Sequence, residues 1–177
     1  SLFRLTLPLQ ADLSAPPARP PVLADVSGRK ILLIDDPSAA LNALAGVLHD
    51  AGAMADTAPT AQQGAAVLAQ AQVSGAPYDA VLINCLLPDI GLLPPSSAPP
   101  MIAVSSSAQK GDAAHMRHAG FSGFLVKPLH RDNVLHALAA VIDNRSRGVD
   151  AFVTRHHLRE TRAAPPPRFD GVHVLLA

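Results

Sequence analysis

The sequence predicts an α/β fold: a doubly wound parallel sheet of five strands in the order 2-1-3-4-5. Two observations carry this. Short apolar runs alternate along the chain with longer segments whose apolar residues recur at helical spacing, and strands alternating with helices imply parallel pairing through right-handed crossovers. The 17 prolines are also segregated, with clusters at 16–21, 94–100 and 165–167. Proline lacks a backbone donor and is excluded from helix interiors and central strands, so the stretches between clusters are free to build the sheet.

The elements follow in order. Lys30–Asp35 (KILLID) is a short apolar run bounded by charge, suited to a buried parallel strand. Pro37–Ala51 carries Leu41, Leu44, Ala45, Val47 and Leu48 at helical spacing and is closed by Gly52. Ala53–Ala58 is a weak second strand, and Thr60–Gln72 is an Ala- and Gln-rich helix opened by a threonine cap. Tyr78–Asn84, Met101–Ser106 and Gly123–Lys127 are three further strands. Ala108–Ala119 is a helix ended by Gly120, and Arg131–Asp143 is the last helix, with Val134, Leu135, Leu138, Val141 and Ile142 on one face. GLLPPSSAPP (91–100) cannot be an ordinary helix, because each interior proline costs about 3 kcal/mol. The helix between the third and fourth strands is therefore missing or reduced to a turn. The apolar surface it would have covered needs another cover: this loop, the chain after 144, or another domain.

Composition excludes several classes. Lys+Arg and Asp+Glu are both 14, a balance unlike that of a dedicated nucleic-acid or anionic-membrane binder. Aromatics are 3%, too few for base-stacking platforms. No apolar run reaches the roughly 18 residues that span a bilayer. The single Cys85 excludes an intrachain disulfide and a Cys-based zinc site, and it reads as buried and inert.

The strand ends bring chemistry to one edge. The first strand ends in Asp35-Asp36, the third in Asn84, the fourth in Ser105, and the fifth in Lys127-Pro128. In open α/β sheets the carboxyl edge is where ligands bind. The segments ILLIDD (31–36), YDAVLINCLLPDIG (78–91), IAVSS (102–106) and GFLVKPL (123–129) resemble the receiver domain of two-component response regulators, a flavodoxin-like fold, over 28–144. The resemblance implies that an acidic pair holds Mg²⁺ and that an Asp ending the third strand accepts a phosphoryl group from a kinase histidine. It also implies that a Ser/Thr and a Lys serve as switch positions on the phosphoryl oxygens, here Ser105 and Lys127. Hard cation, oxygen ligands and fixed positive charge are what in-line phosphoryl transfer requires.

The acceptor position departs from the pattern. Asn84 is a carboxamide, cannot form an aspartyl phosphate, and removes one charged oxygen from the metal site. Asp35 and Asp36 are then a vestigial acidic pocket with weak Mg²⁺ binding at most, neutralised in part by Lys127. No catalytic residue is expected, and the domain reads as a pseudo-receiver. An alternative is a receiver that uses a non-standard acceptor, Asp89.

The flanks point to a parent chain. SLFRLTLPLQ (1–10) alternates Phe3, Leu5 and Leu7 with polar residues and resembles the last strand of a histidine-kinase ATP-binding domain. Residues 11–27 read as a Pro-rich linker, 145–168 as an inter-receiver linker, and FDGVHVLLA (169–177) as the first strand of a second receiver. The resemblance implies a hybrid sensor histidine kinase. The partners would be the kinase core and second receiver of the same parent chain, with dimerisation through the parent. Nucleic acid and direct membrane contact are not expected of this segment, and the location implied is cytoplasmic. Such a module would regulate kinase and receiver docking.

A possible ligand or docking face carries Lys110, Arg117, Phe124 and Arg131. Cyclic di-GMP is the second-messenger ligand the resemblance admits there, through arginine contacts and a ring stack. The adjacent His156 and His157 read as part of a solvated linker. His115 and His118 share a helix face but lack a neighbouring carboxylate to complete a metal site. Residues 28–143 hold six basic and nine acidic side chains, and 144–170 six basic and three acidic, so the tail complements the domain in charge.

Overall fold

The structure is a computed structural model that describes residues 24–93, 99–107, 109 and 111–154. Six strands form one parallel sheet: β1 (Lys30–Ile34), β2 (Met54–Ala58), β3 (Ala80–Asn84), β4 (Met101–Ser105), β5 (Gly123–Val126) and β6 (Val153–Thr154). The order is β2-β1-β3-β4-β5-β6. The first five strands take the expected order, and the expected count of five is corrected to six. Val153–Thr154, read from the sequence as linker, pairs with β5. Two residues are too short a run to show any periodicity.

The strands are apolar on both faces because helices cover both. Ile31, Leu33, Leu82, Ile102 and Val104 point to the side packed by α1 (Ala39–Asp50) and α4 (Arg131–Ser146). Leu32, Ile34, Val81, Ile83, Met101 and Ala103 point to the side of α2 (Ala61–Val73) and α3 (Asp112–His118). Period-2 alternation thus feeds two cores, and the runs read as continuously apolar. Ser38 and Thr60 cap α1 and α2, their side chains accepting from the Leu41 and Gln63 N–H groups at 3.1 Å each.

Helix α3 begins at Asp112, not at 108 as expected. Gly111 has φ +108°, outside the helical region, so the helix cannot start before it. Helix α4 runs on to Ser146, past the expected end at Asp143; no helix breaker intervenes before Gly148. Val26 is 1% exposed, so the packed unit starts before residue 28 and ends beyond 144. The expected end strands (1–10 and 169–177), most of the first Pro-rich linker, and His156 and His157 lie outside the described residues. Among the described residues, no helix is long and apolar enough to cross a membrane.

Among the described residues between β3 and β4 there is a 3₁₀ turn, Ile90–Leu92, and no α-helix; 94–98, most of the Pro cluster, lie outside the described residues. The apolar face is covered by this loop itself. Leu87 (4% exposed) and Leu93 (6%) turn inward, and Ile90 packs beside them.

Helix α2 sits close on β1 because residue 64 is glycine. A Cβ there would meet Ile34 Cδ1 and lie 3.1 Å from Ile34 Cγ1, and Ile34 is fully buried. Gly64→Val is expected to destabilise the fold by about 1–3 kcal/mol through overpacking, read as a lower urea midpoint. An unchanged midpoint would contradict the close approach.

At the opposite edge of the sheet, Tyr78 donates its hydroxyl to Asp56 Oδ2 at 2.7 Å, and Lys30 Nζ lies 4.4 Å from its ring centre. Burial first, then the Asp56 carboxylate, pushes the phenol up to about 12. The folded state therefore holds this proton more tightly than the unfolded chain, whose tyrosine titrates near ~10. The associated stability is complete below pH ~10 and is lost as pH rises towards ~12, at most about 3 kcal/mol. Tyr78 is the sole tyrosine and there is no tryptophan, so tyrosinate absorbance reads it directly. A native-state midpoint near 10 would refute the contact.

Candidate functional site

Strand register builds the site. Ile34 pairs with Ile83, Asn84 with Val104, and Ser105 with Val126. Asp35, Asn84, Ser105 and Lys127 are thereby brought together at the carboxyl edge, although they span most of the domain in sequence.

The centre is a closed network around Asp35. Lys127 Nζ lies 2.6 Å from Asp35 Oδ2. Asn84 Nδ2 donates to Asp35 Oδ1 at 2.7 Å, and the backbone N–H of Asp36 donates to the same oxygen at 2.9 Å. The other end of the amide, Asn84 Oδ1, accepts from the Leu86 N–H at 3.0 Å. Both ends of Asn84 are used, and rotating the amide would set oxygen against carboxylate and NH₂ against N–H. Its orientation is therefore determined by its neighbours. Asp36 joins this network only through its backbone N–H, and the residue is exposed. The Lys127–Pro128 peptide is cis.

The residues do not fit a divalent cation as they stand. Both Asp35 oxygens are occupied by nitrogen donors, and Asn84 presents an NH₂ group where a metal needs oxygen. Among the described residues no group of three or more His, Cys, Asp or Glu is placed to hold a metal.

The other candidates are accounted for in turn. Ser105 is buried, and its Oγ donates to Ser107 O at 2.6 Å and accepts from the Ser107 N–H at 3.2 Å, turned into its own loop. Cys85 is half-buried rather than fully buried; that burial is enough to push its thiol up, away from a reactive thiolate. Its N–H is donated to Val104 O at 2.9 Å, which keeps it from attacking the Asn84 side chain in a deamidation. Asp89 Oδ2 accepts the Gln62 N–H at 2.9 Å, closing the first turn of α2, while Oδ1 is shielded from solvent without a hydrogen-bond partner. The Gln62 N–H holds the Asp89 carboxyl below its ordinary value. A carboxylate engaged in this way is a helix cap.

The proposed ligand face is not assembled. Phe124 is only 7% exposed and packs in the core beneath α3 with Phe121, so it offers no ring to a ligand. Arg117 lines a cavity with His118, Asn144 and Arg145 near the amino edge of β5. Arg131 lines a different one, between α1 and α4, with Leu44, Val47 and Leu129. Lys110 lies outside the described residues. The burial of Phe124 removes the stacking argument for cyclic di-GMP.

A flavodoxin-like sheet carrying an acidic pair, a hydroxyl and a lysine on its carboxyl edge defines a receiver-type signalling module. Residues 31–139 match the response regulator receiver domain model, and the chain belongs to that family, the receiver domains of two-component signalling. Solved structures agree in fold. A CheY-like receiver domain protein from Methanospirillum hungatei has a TM-score of 0.55 at 22% identity, over 69% of this chain and 99% of that one. The receiver domain of a sensor histidine kinase from Pseudomonas aeruginosa, with magnesium coordinated in its active-site cleft, has a TM-score of 0.55 at 23% identity, over 66% and 99%. The chemotaxis regulator CheY4 of Vibrio cholerae gives 0.53 at 20% identity, over 65% and 99%. Among curated proteins there is no significant match.

Some of this site carried no sequence signal that we read. The Leu86 N–H bond to Asn84 is a two-residue Asx turn, which an asparagine ending a strand could have suggested. The cap by Asp89 on α2 joins residues 27 apart and had no local signature.

Proposed function

We propose that this domain is a pseudo-receiver: a regulatory receiver module of a hybrid histidine kinase that controls docking between kinase core and receiver without being phosphorylated. The observation that carries it is the Asn84 amide, hydrogen-bonded to Asp35 at 2.7 Å where the family's acceptor carboxylate would stand. The amide is no nucleophile at phosphorus, and its NH₂ group together with Lys127 takes up the carboxylate that would otherwise hold a cation. What remains is a surface whose effect comes from binding, as a shift between docked and free arrangements. The kinase context rests on the resemblance of SLFRLTLPLQ (1–10) to the end of a histidine-kinase ATP-binding domain and of FDGVHVLLA (169–177) to the start of a second receiver.

Incubation of the chain with an acyl phosphate and Mg²⁺, followed by intact mass, is expected to show no phosphoryl adduct. An adduct would overturn the proposal, and peptide mapping would then tell Asp89 from Asp35 or Asp36. Deleting the domain from the parent kinase is expected to change autophosphorylation or relay rates; unchanged rates would refute the docking role.

A further inference from the structure

Helices α3 and α4 end in the same local motif. In Arg117-His118-Ala119-Gly120-Phe121, the Phe121 N–H donates to Met116 O at 3.1 Å and the Gly120 N–H to Arg117 O at 3.0 Å. In Arg145-Ser146-Arg147-Gly148-Val149, the Val149 N–H donates to Asn144 O at 2.8 Å and the Gly148 N–H to Arg145 O at 3.2 Å. Gly120 and Gly148 take the left-handed conformation this cap requires, with φ +93° and +66°. Backbone donors thus take up the last carbonyls, and neither Arg117 nor Arg145, each three residues before its glycine, is needed as a cap. Both arginines line one cavity of about 600 Å³ at the amino edge of β4 and β5, together with His118, Phe121, Val149 and Asp150. Among the described residues Arg29, Lys127 and Arg147 are ion-paired, whereas Arg117 and Arg145 have neither an ion pair nor a side-chain hydrogen bond. A cation in the last turn offsets the helix dipole, which accounts for one at each helix end. It does not account for two guanidiniums on one cavity with their donors uncommitted.

We propose that this cavity is a site for a small phosphomonoester, its phosphate held by Arg117 and Arg145 and its organic part resting on Phe121 and Val149. A guanidinium fork matches the oxygens of a phosphate or carboxylate. Two forks call for more oxygens than one carboxylate offers, which favours a phosphate group. The volume falls in the range of small-molecule sites, roughly 300–1,000 Å³. Asp150 is the single carboxylate on the cavity and opposes an anion there. The cavity lies at the opposite edge of the sheet from Asp35 and Asn84, so this inference is independent of the acceptor position.

The test titrates phenyl phosphate into the full 177-residue chain and follows amide chemical shifts. Saturable shifts are expected at 120–122 and 148–151, with inorganic phosphate and benzoate both binding more weakly. Arg117→Gln and Arg145→Gln are each expected to raise Kd roughly tenfold. Both side chains belong to exposed residues, so the melting temperature should not move. Arg147→Gln removes an exposed guanidinium that is paired with Asp143 and does not line the cavity, and it should leave Kd within about twofold. Asp150→Asn is expected to tighten binding. The proposal would be overturned by the lack of a saturable shift at millimolar phenyl phosphate, or by benzoate or inorganic phosphate binding as tightly. Equal losses from all three arginine variants would also overturn it, since they would mean general charge attraction, as would weaker binding in Asp150→Asn.

Discussion

Asn84→Asp is expected to lower stability and create a phosphoacceptor in the same step. The variant exchanges an N–H donor at 2.7 Å for a second carboxylate facing Asp35, whose side chain is 18% exposed. A hydrogen bond to a charged group is worth about 1.5–3 kcal/mol, and like-charge repulsion adds to its loss. A destabilisation of about 2–3 kcal/mol is therefore anticipated, several degrees in melting temperature. Mg²⁺ should recover part of it in the variant, because three carboxylates then offer oxygen where the native chain offers nitrogen, and should leave the native chain unaffected. With an acyl phosphate as donor, the new carboxylate oxygen attacks phosphorus and the donor's carboxylate leaves, giving one adduct by mass. An Asn84→Asp chain that melts with the parent, ignores Mg²⁺ and takes up no phosphoryl group would show that the edge is not a receiver site with one altered residue.

The second large effect lies in the loop that replaces a helix. Leu87→Asp would bury a carboxylate among Leu93, Ile90 and the β3–β4 face, at a cost of about 3–5 kcal/mol. The neighbouring Leu86 is 57% exposed, and Leu86→Asp is expected to stay within about 0.5 kcal/mol of the parent. Thermal melts and dye binding to exposed apolar surface should separate the two sharply. Equal behaviour of the two variants would mean that the loop does not cover the face.

Much of the fold was legible because the strongest signals are local. The five-run alternation and the Thr60 cap are patterns of neighbouring residues, and each resolved to the expected element. The helix expected over Ala108–Ala119 starts only at Asp112, because Gly111 adopts a positive φ. Strand β6 was missed because its two residues are strand only by virtue of the β5 edge beside them. At the site, the set Asp35, Asn84, Ser105 and Lys127 followed from strand ends alone. Phe124 was misassigned to the surface, since a strand residue's face depends on which helix covers it.

The sequence by itself determined the parallel α/β class, the carboxyl-edge residue set and the asparagine, Asn84, that ends the third strand, because each depends on residue identity and on short-range periodicity. Only the tertiary structure decided the rest. It closed Asp35 between Asn84 and Lys127, gave Asp89 to α2 as a cap, buried Phe124, and sealed β5 with residues read as linker. These outcomes join groups many residues apart, and strand register and helix placement, which no local pattern encodes, bring them within bonding distance.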